Sequence, residues 1–346
     1  MMKNLKIKWY LVLVMVLFVF VLYFSLKDNY IDIINTLRNV NIIWLIIGIL
    51  FVFISKYVIG LITYYLAKKE KKDISLKRMV KIALIYPFFA GITPSAVGGE
   101  SFEIFYLKDS GISLGKSSNI AIQKFILYQV SLVIINFIVV ILNMFTNIIP
   151  DTSLVGSSVT LNFIVNIAIL VFCYLVTYNM KFNHFIVEKG VVFLHKIRII
   201  KDLDKTKEKV DNYLDNFNEG AEEFKKDKKF FVNQVILSMI SYIFLMIAAW
   251  PIARALGIYE INVLNLFILA TYAKMMCLLI VTPGNSGAAE YCFIYLFTGL
   301  INEDGIMTYM LIWRFVTYYI PLILGGILAM TWERGNGCEE NCCSKS

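Results

Sequence analysis

Charge is what this sequence has least of. Asp, Glu, Lys and Arg make up 17% of its 346 residues, against about a quarter in soluble domains. That shortfall argues against an ordinary water-facing surface. Histidine is scarcer still: the only two, His184 and His195, lie in a polar stretch without a spaced set of partner ligands, so no metal site is expected. The sequence has no phosphate loop, dinucleotide fingerprint or nucleophile elbow. ATP hydrolysis, redox chemistry on a bound dinucleotide and serine acyl transfer therefore have no residues to rest on, and no cofactor is expected. No basic face is interleaved with exposed aromatics, so nucleic acid is not an expected partner. Of the six cysteines, Cys173, Cys277 and Cys292 fall in apolar segments and read as small hydrophobes. Cys338, Cys342 and Cys343 fall in a polar tail placed in a reducing compartment, where a disulfide framework is not expected.

What is present is hydrocarbon. Apolar residues make up 59% of the chain, with a mean hydropathy of +0.70. Several runs reach the roughly 18–20 residues that cross a bilayer core. The expected fold class is an all-α polytopic membrane protein. Full spans are read at about 9–26, 42–66, 118–145, 158–178, 230–250 and 306–330. Lys3, Lys6 and Lys8 before the first span, and the basic loop Lys68-Lys69-Glu70-Lys71-Lys72 after the second, place both on the cytoplasmic side by the positive-inside rule. The expected location is a bacterial-type plasma membrane with both termini cytoplasmic. Residues 181–229 alternate charges with Val210, Leu214, Phe217, Ala221 and Phe224 at helical spacing. They read as a cytoplasmic amphipathic helix lying on lipid headgroups, or as a plain connector.

Two stretches break the apolar pattern. Thr93-Pro94-Ser95-Ala96-Val97-Gly98-Gly99-Glu100 is followed about 190 residues later by Thr282-Pro283-Gly284-Asn285-Ser286-Gly287-Ala288-Ala289-Glu290. Each sets a helix breaker, a hydroxyl, glycines and a carboxylate between apolar arms at 82–92 and 100–107, or 261–281 and 290–300. In lipid, such groups persist only where protein or a polar cavity satisfies them. Charge placement sends the two breaks in from opposite faces. The expected architecture is six full spans plus two opposed re-entrant helical hairpins in an inverted repeat, with a midplane site. The long arm 261–281 leaves open whether the second hairpin spans. The first repeat covers about 42–145 and the second about 230–330, within one integral domain, 1–334, followed by a tail at 335–346.

With Arg314-Phe315-Val316-Thr317-Tyr318-Tyr319-Ile320-Pro321, these motifs resemble the lysylphosphatidylglycerol synthase transmembrane family, which includes the flippase domain of the bacterial multiple peptide resistance factor. The resemblance covers nearly the whole chain. It implies lipid flipping and a link to antibiotic resistance, without the soluble domain that carries lysine transfer from charged tRNA to phosphatidylglycerol. Two positions depart from the pattern: Glu103 and Ala289 stand where family members commonly carry arginine. If those arginines hold lipid phosphate, the departures weaken transfer of an anionic-lipid substrate to this chain.

Glu100 and Glu290 lead the candidates for binding a cationic headgroup, pairing with a base or carrying a proton; the plainer alternative is an interfacial or helix-capping carboxylate. Glu103, one turn from Glu100, would share its face, but reads more simply as a solvated rim charge. Arg314 reads as an internal ion-pair residue with Glu290 or a lipid phosphate as partner, and Lys274 as a buried cation among Tyr272, Met275 and Met276. Lys56 and Lys124 are weaker candidates that could snorkel to the basic face. Tyr318 and Pro321 belong to the last motif. Thr93, Pro94, Gly98, Gly99, Thr282, Pro283, Gly284, Asn285, Ser286 and Gly287 would make the breaks. The leading functional expectation is translocation of a phospholipid or polyprenyl-phosphate lipid. Two alternatives stand beside it: a lipid-modifying transferase of the phosphatidylglycerol lysyltransferase type, and a non-catalytic partner of a separate synthase. Membrane lipids are the expected partners, with a homodimer or that synthase as further possibilities.

Overall fold

A chain inside hydrocarbon can satisfy its backbone only within itself, and long apolar runs do so as helices. Every regular element among the described residues is helical. The computed structural model describes residues 40–91, 93, 97–179, 181–183, 189, 203–277, 288–301 and 303–332. The expected first span at 9–26, Pro94, the motif residues 282–287, both histidines and the tail at 335–346 lie outside the described residues.

In chain order the helices are α1 (Ile42–Glu70), α2 (Leu76–Gly91), α3 (Val97–Asp109), α4 (Leu114–Thr146), α5 (Ser153–Tyr178) and α6 (Leu203–Lys226). They continue with α7 (Lys228–Ile247), α8 (Ala249–Ala255), α9 (Val263–Cys277), α10 (Ala288–Phe297), α11 (Glu303–Arg314) and α12 (Ile320–Met330). Five stretches are long and apolar enough to cross a membrane: Ile42–Glu70, Leu114–Thr146, Ser153–Tyr178, Lys228–Ala255 and Gly305–Met330. These match five of the six expected spans. By contrast α2, α3, α9 and α10 have 16, 13, 15 and 10 residues. At 1.5 Å per residue they reach roughly 15–24 Å, short of the ~30 Å hydrocarbon core.

The membrane-facing surfaces invert the soluble rule. On α5 the exposed residues include Leu161, Ile164, Ile167, Val171 and Phe172. Its buried face is Val155, Ser158, Asn162, Asn166 and Thr177. In lipid, apolar side chains gain nothing by turning inward, so a helix is held by polar bonds and close packing. Asn162 donates to the Met275 carbonyl at 3.0 Å, Asn136 to Asn162 at 3.2 Å, and Gln129 to Asn166 at 3.1 Å. These tie α5 to α9 and α4.

Two apolar cores result. One gathers α2, α3, the second half of α1 and α12 around Phe88, Leu107 and Leu322. The other gathers α8 to α11 with parts of α1, α4 and α7 around Phe293, Phe297 and Tyr309. At the basic end, Trp332 Nε1 donates to Asp109 Oδ2 at 2.8 Å, and Arg78 reaches the same oxygen at 2.9 Å while stacking 4.6 Å from the Trp332 ring. The end of the last helix is thereby fastened to the turn after α3. Helix α6 differs from one of its expected placements. Leu214, Phe217, Ala221 and Phe224 are buried as α6 packs against α4, α7 and α5, so this apolar face is on protein instead of headgroups. Lys116 bridges Glu70 at 3.0 Å and Glu219 at 3.2 Å, fixing α6 to α1 and α4.

Between α11 and α12 the backbone widens into a π turn, Phe315–Tyr319, with the Ile320 N–H reaching back to the Phe315 carbonyl. Pro321 explains the widening, because it has no N–H to give the Thr317 carbonyl. Single π turns inside α-helices frequently mark functional sites.

Helices α2 and α12 touch at a glycine. A Cβ at Gly325 would lie 2.7 Å from the Leu84 carbonyl oxygen and 3.1 Å from Phe88 Cβ, so a side chain there must push two backbones apart. Gly325→Val is expected to lower stability by about 1–3 kcal/mol, read as a lower melting temperature in detergent. Gly156→Ala, whose Cβ meets nothing within 4 Å, should not lower it.

Candidate functional site

The first break is closed by one hydroxyl. Thr93 Oγ1 donates to the Phe89 carbonyl at 2.8 Å and accepts from the Gly98 N–H at 2.9 Å, so it joins the end of α2 to the start of α3. A Cβ on Gly98 would meet Thr93 Oγ1 at 2.7 Å and the Phe89 carbonyl oxygen at 3.0 Å, which is why glycine follows the break. Gly99 is buried behind the Tyr86 ring. Glu100 then falls in the first turn of α3, where the helix dipole favours a carboxylate.

From there Glu100 faces a cavity of about 570 Å³ lined by α1, α2, α3, α4, α5, α7, α9, α10, α11 and the π turn. That is within the ~300–1,000 Å³ of ligand pockets. The cavity lies where residues of both cores meet, and its charged lining is Lys56, Lys124, Lys274, Arg314 and Glu100. Lys56 is central in α1, fourteen residues from Ile42 and fourteen from Glu70. That places it roughly 21 Å along the axis from either end, so snorkelling to an interface does not account for it.

Three carboxylates at the site each hold a donor. Tyr86 gives its phenol to Glu100 Oε1 at 2.5 Å. Lys124 pairs with Glu103 and lies 4.7 Å from the Tyr86 ring. Arg314 Nε donates to Glu290 Oε1 at 3.0 Å, and its guanidinium lies 4.7 Å from the Tyr318 ring. Tyr318 in turn gives its hydroxyl to the Gly91 carbonyl at 3.4 Å, so the π turn touches the end of α2 beside the first break. Glu103 is 2% exposed, and its Oε1 has no partner among the described residues. It is therefore a buried member of the cluster; the rim reading is set aside because α3 turns this side chain onto α4. Lys56 and Lys274 have no salt bridge among the described residues.

The cavity brings together Glu100, Arg314, Lys274, Lys56, Lys124 and Tyr318, with Glu103 and Glu290 held just behind as ion-pair partners. Ala289 lines it without charge. Pro321 is buried in α12, just after the π turn, and lies outside the lining. Sequence reasoning did not single out Tyr86, Gln129 or Asn166. The last had a signal: Ser158, Asn162 and Asn166 recur every four residues in an otherwise apolar span, which puts three polar groups on one helix face.

A family model described as lysylphosphatidylglycerol synthase TM region matches residues 9–325. A UPF0104 membrane protein of Archaeoglobus fulgidus is 24% identical over 261 residues, covering 73% of this chain and 76% of that protein.

Removing one member of a buried ion pair leaves the other uncompensated, at a cost of about 3–5 kcal/mol. Lys124→Met should therefore lower the melting temperature sharply. Adding Glu103→Gln to Lys124→Met should recover most of the loss, as a double-mutant thermal melt would read.

Proposed function

The chain belongs to the lysylphosphatidylglycerol synthase transmembrane family, and on that premise we propose that it is a lipid translocase. The observation that carries this reading is the cavity of about 570 Å³. It is lined by four basic side chains and a carboxylate, although its walls belong to apolar spans. Charges at membrane depth mark substrate or ion pathways by default. In this reading α2–α3 and α9–α10, each arm too short to cross, are the two re-entrant hairpins. The headgroup enters the polar cavity while the acyl chains stay against apolar wall residues such as Ile59, Phe125, Ile169 and Leu245. Rocking of one hairpin-bearing half against the other then exposes the headgroup to each leaflet in turn.

The residues divide the work. Arg314 and Glu290 join α11 to α10, and Tyr318 joins the π turn to α2, so the last span contacts both hairpins. A wide π turn at that point gives the span a place to adjust its register. Glu100 accepts from the Tyr86 phenol and lines the cavity without a basic partner in ion-pair contact among the described residues, making it the carboxylate best placed for ion coupling. That same pair is what a transferase would use as acid and base. Lipid product formed from aminoacyl-tRNA and phosphatidylglycerol would favour that second reading.

The test is reconstitution into liposomes carrying fluorescent phospholipid, with dithionite accessibility as the readout. The wild-type protein should accelerate leaflet exchange over empty vesicles. Glu290→Gln and Arg314→Ala should each slow it by about tenfold or more, equivalent to at least ~1.4 kcal/mol in the barrier. No acceleration by folded wild-type protein would sink the proposal.

A further inference from the structure

The charge on the headgroup follows from which cavity groups already have partners. Four cations face the cavity; Lys124 is paired with Glu103 and Arg314 with Glu290. Glu100 accepts from the neutral Tyr86 phenol and keeps its own charge, so two lysines stand against one carboxylate. Lys56 and Lys274 are left without a carboxylate in ion-pair contact among the described residues. Residues 92–96 and 278–287 contain no Asp or Glu, so neither stretch can supply one. Two ammonium groups facing one low-dielectric space repel each other and attract an anion strongly. The hydroxyls of Ser241 and Thr317 also line the cavity, but they already donate to the Ser55 and Trp313 carbonyls, which leaves the two ammonium groups as the donors open to an anion. An ammonium ligand is less well served, because Glu103 and Glu290 already hold a lysine and an arginine and Glu100 alone offers charge to the cavity.

We propose that Lys56 and Lys274 form the headgroup site, and that it takes a phosphate-bearing lipid headgroup with net negative charge and no amine. Zwitterionic and aminoacylated lipids are disfavoured. Lys56 brings this charge from α1 and Lys274 from α9, so the site spans the two halves that the translocase reading sets rocking. Closing around the phosphate draws the two lysines toward a shared anion, and release separates them. The inference rests on the translocase reading for the lipid's route but concerns binding, so the two can fail separately.

The experiment measures lipid retention on the purified full chain by native mass spectrometry, with exchange between leaflets measured in parallel. Phosphatidylglycerol should be retained about tenfold more tightly than phosphatidylcholine or lysylphosphatidylglycerol, a difference of ~1.4 kcal/mol. The preference should shrink in Lys56→Gln/Lys274→Gln and survive in Lys56→Arg/Lys274→Arg, which keeps the charge and controls for folding. Equal retention of phosphatidylglycerol and phosphatidylcholine by the wild type overturns the inference, whatever the exchange rates. Inorganic phosphate displacing phosphatidylglycerol at millimolar concentration would identify free phosphate as the ligand and overturn the lipid assignment. A preference without leaflet exchange upholds the site and removes the translocase reading instead.

Discussion

Water is absent from a bilayer core, and that single constraint accounts for most of what this protein does with its polar atoms. A helix break exposes backbone groups that hydrocarbon cannot satisfy. At the first break Thr93 satisfies two of them at once, accepting from Gly98 and donating to Phe89. Helix α5 follows the same logic, with its amides inside and its leucines and isoleucines outside. The hydrophobic effect gives little reason for apolar helices to associate in lipid. The bonds from Asn162 to Met275 and from Gln129 to Asn166 are therefore among the contacts that hold α5 in place.

The same constraint makes the cavity informative. The ion pairs Lys124–Glu103 and Arg314–Glu290 each cost desolvation and return it through close contact. Such pairs need no ligand. Lys56 and Lys274 face the cavity without that compensation among the described residues. The chemistry of the cavity is set by this difference between neutralised charge and uncompensated charge, more than by the number of basic residues around it.

Architecture places that difference where it can act. The first core forms around α2, α3 and α12, the second around α8 to α11, and the cavity draws lining from both. Arg314, the π turn and Tyr318 run along their boundary, and Pro321 imposes the wide turn by withholding one N–H. At the basic end, Trp332, Asp109 and Arg78 fasten the end of the last helix to α3.

The sequence by itself determined the class, the described spans and the position of the first break, because hydrophobic run length and Thr-Pro-Gly chemistry are local properties. It also singled out Glu100, Glu290, Arg314 and Lys274, since a charge inside an apolar run is visible without knowing its neighbours. It could not decide which charges neutralise each other. Glu103 looked like a rim residue beside Glu100, and its standing where family members commonly carry arginine argued against an anionic ligand. Only the packing of α3 on α4 turned it onto Lys124. Likewise, Lys56 lies 218 residues before Lys274 in the chain, and only the packing of α1 and α9 around one cavity makes them neighbours. Charge compensation is a property of distance in space, and tertiary structure alone sets that distance.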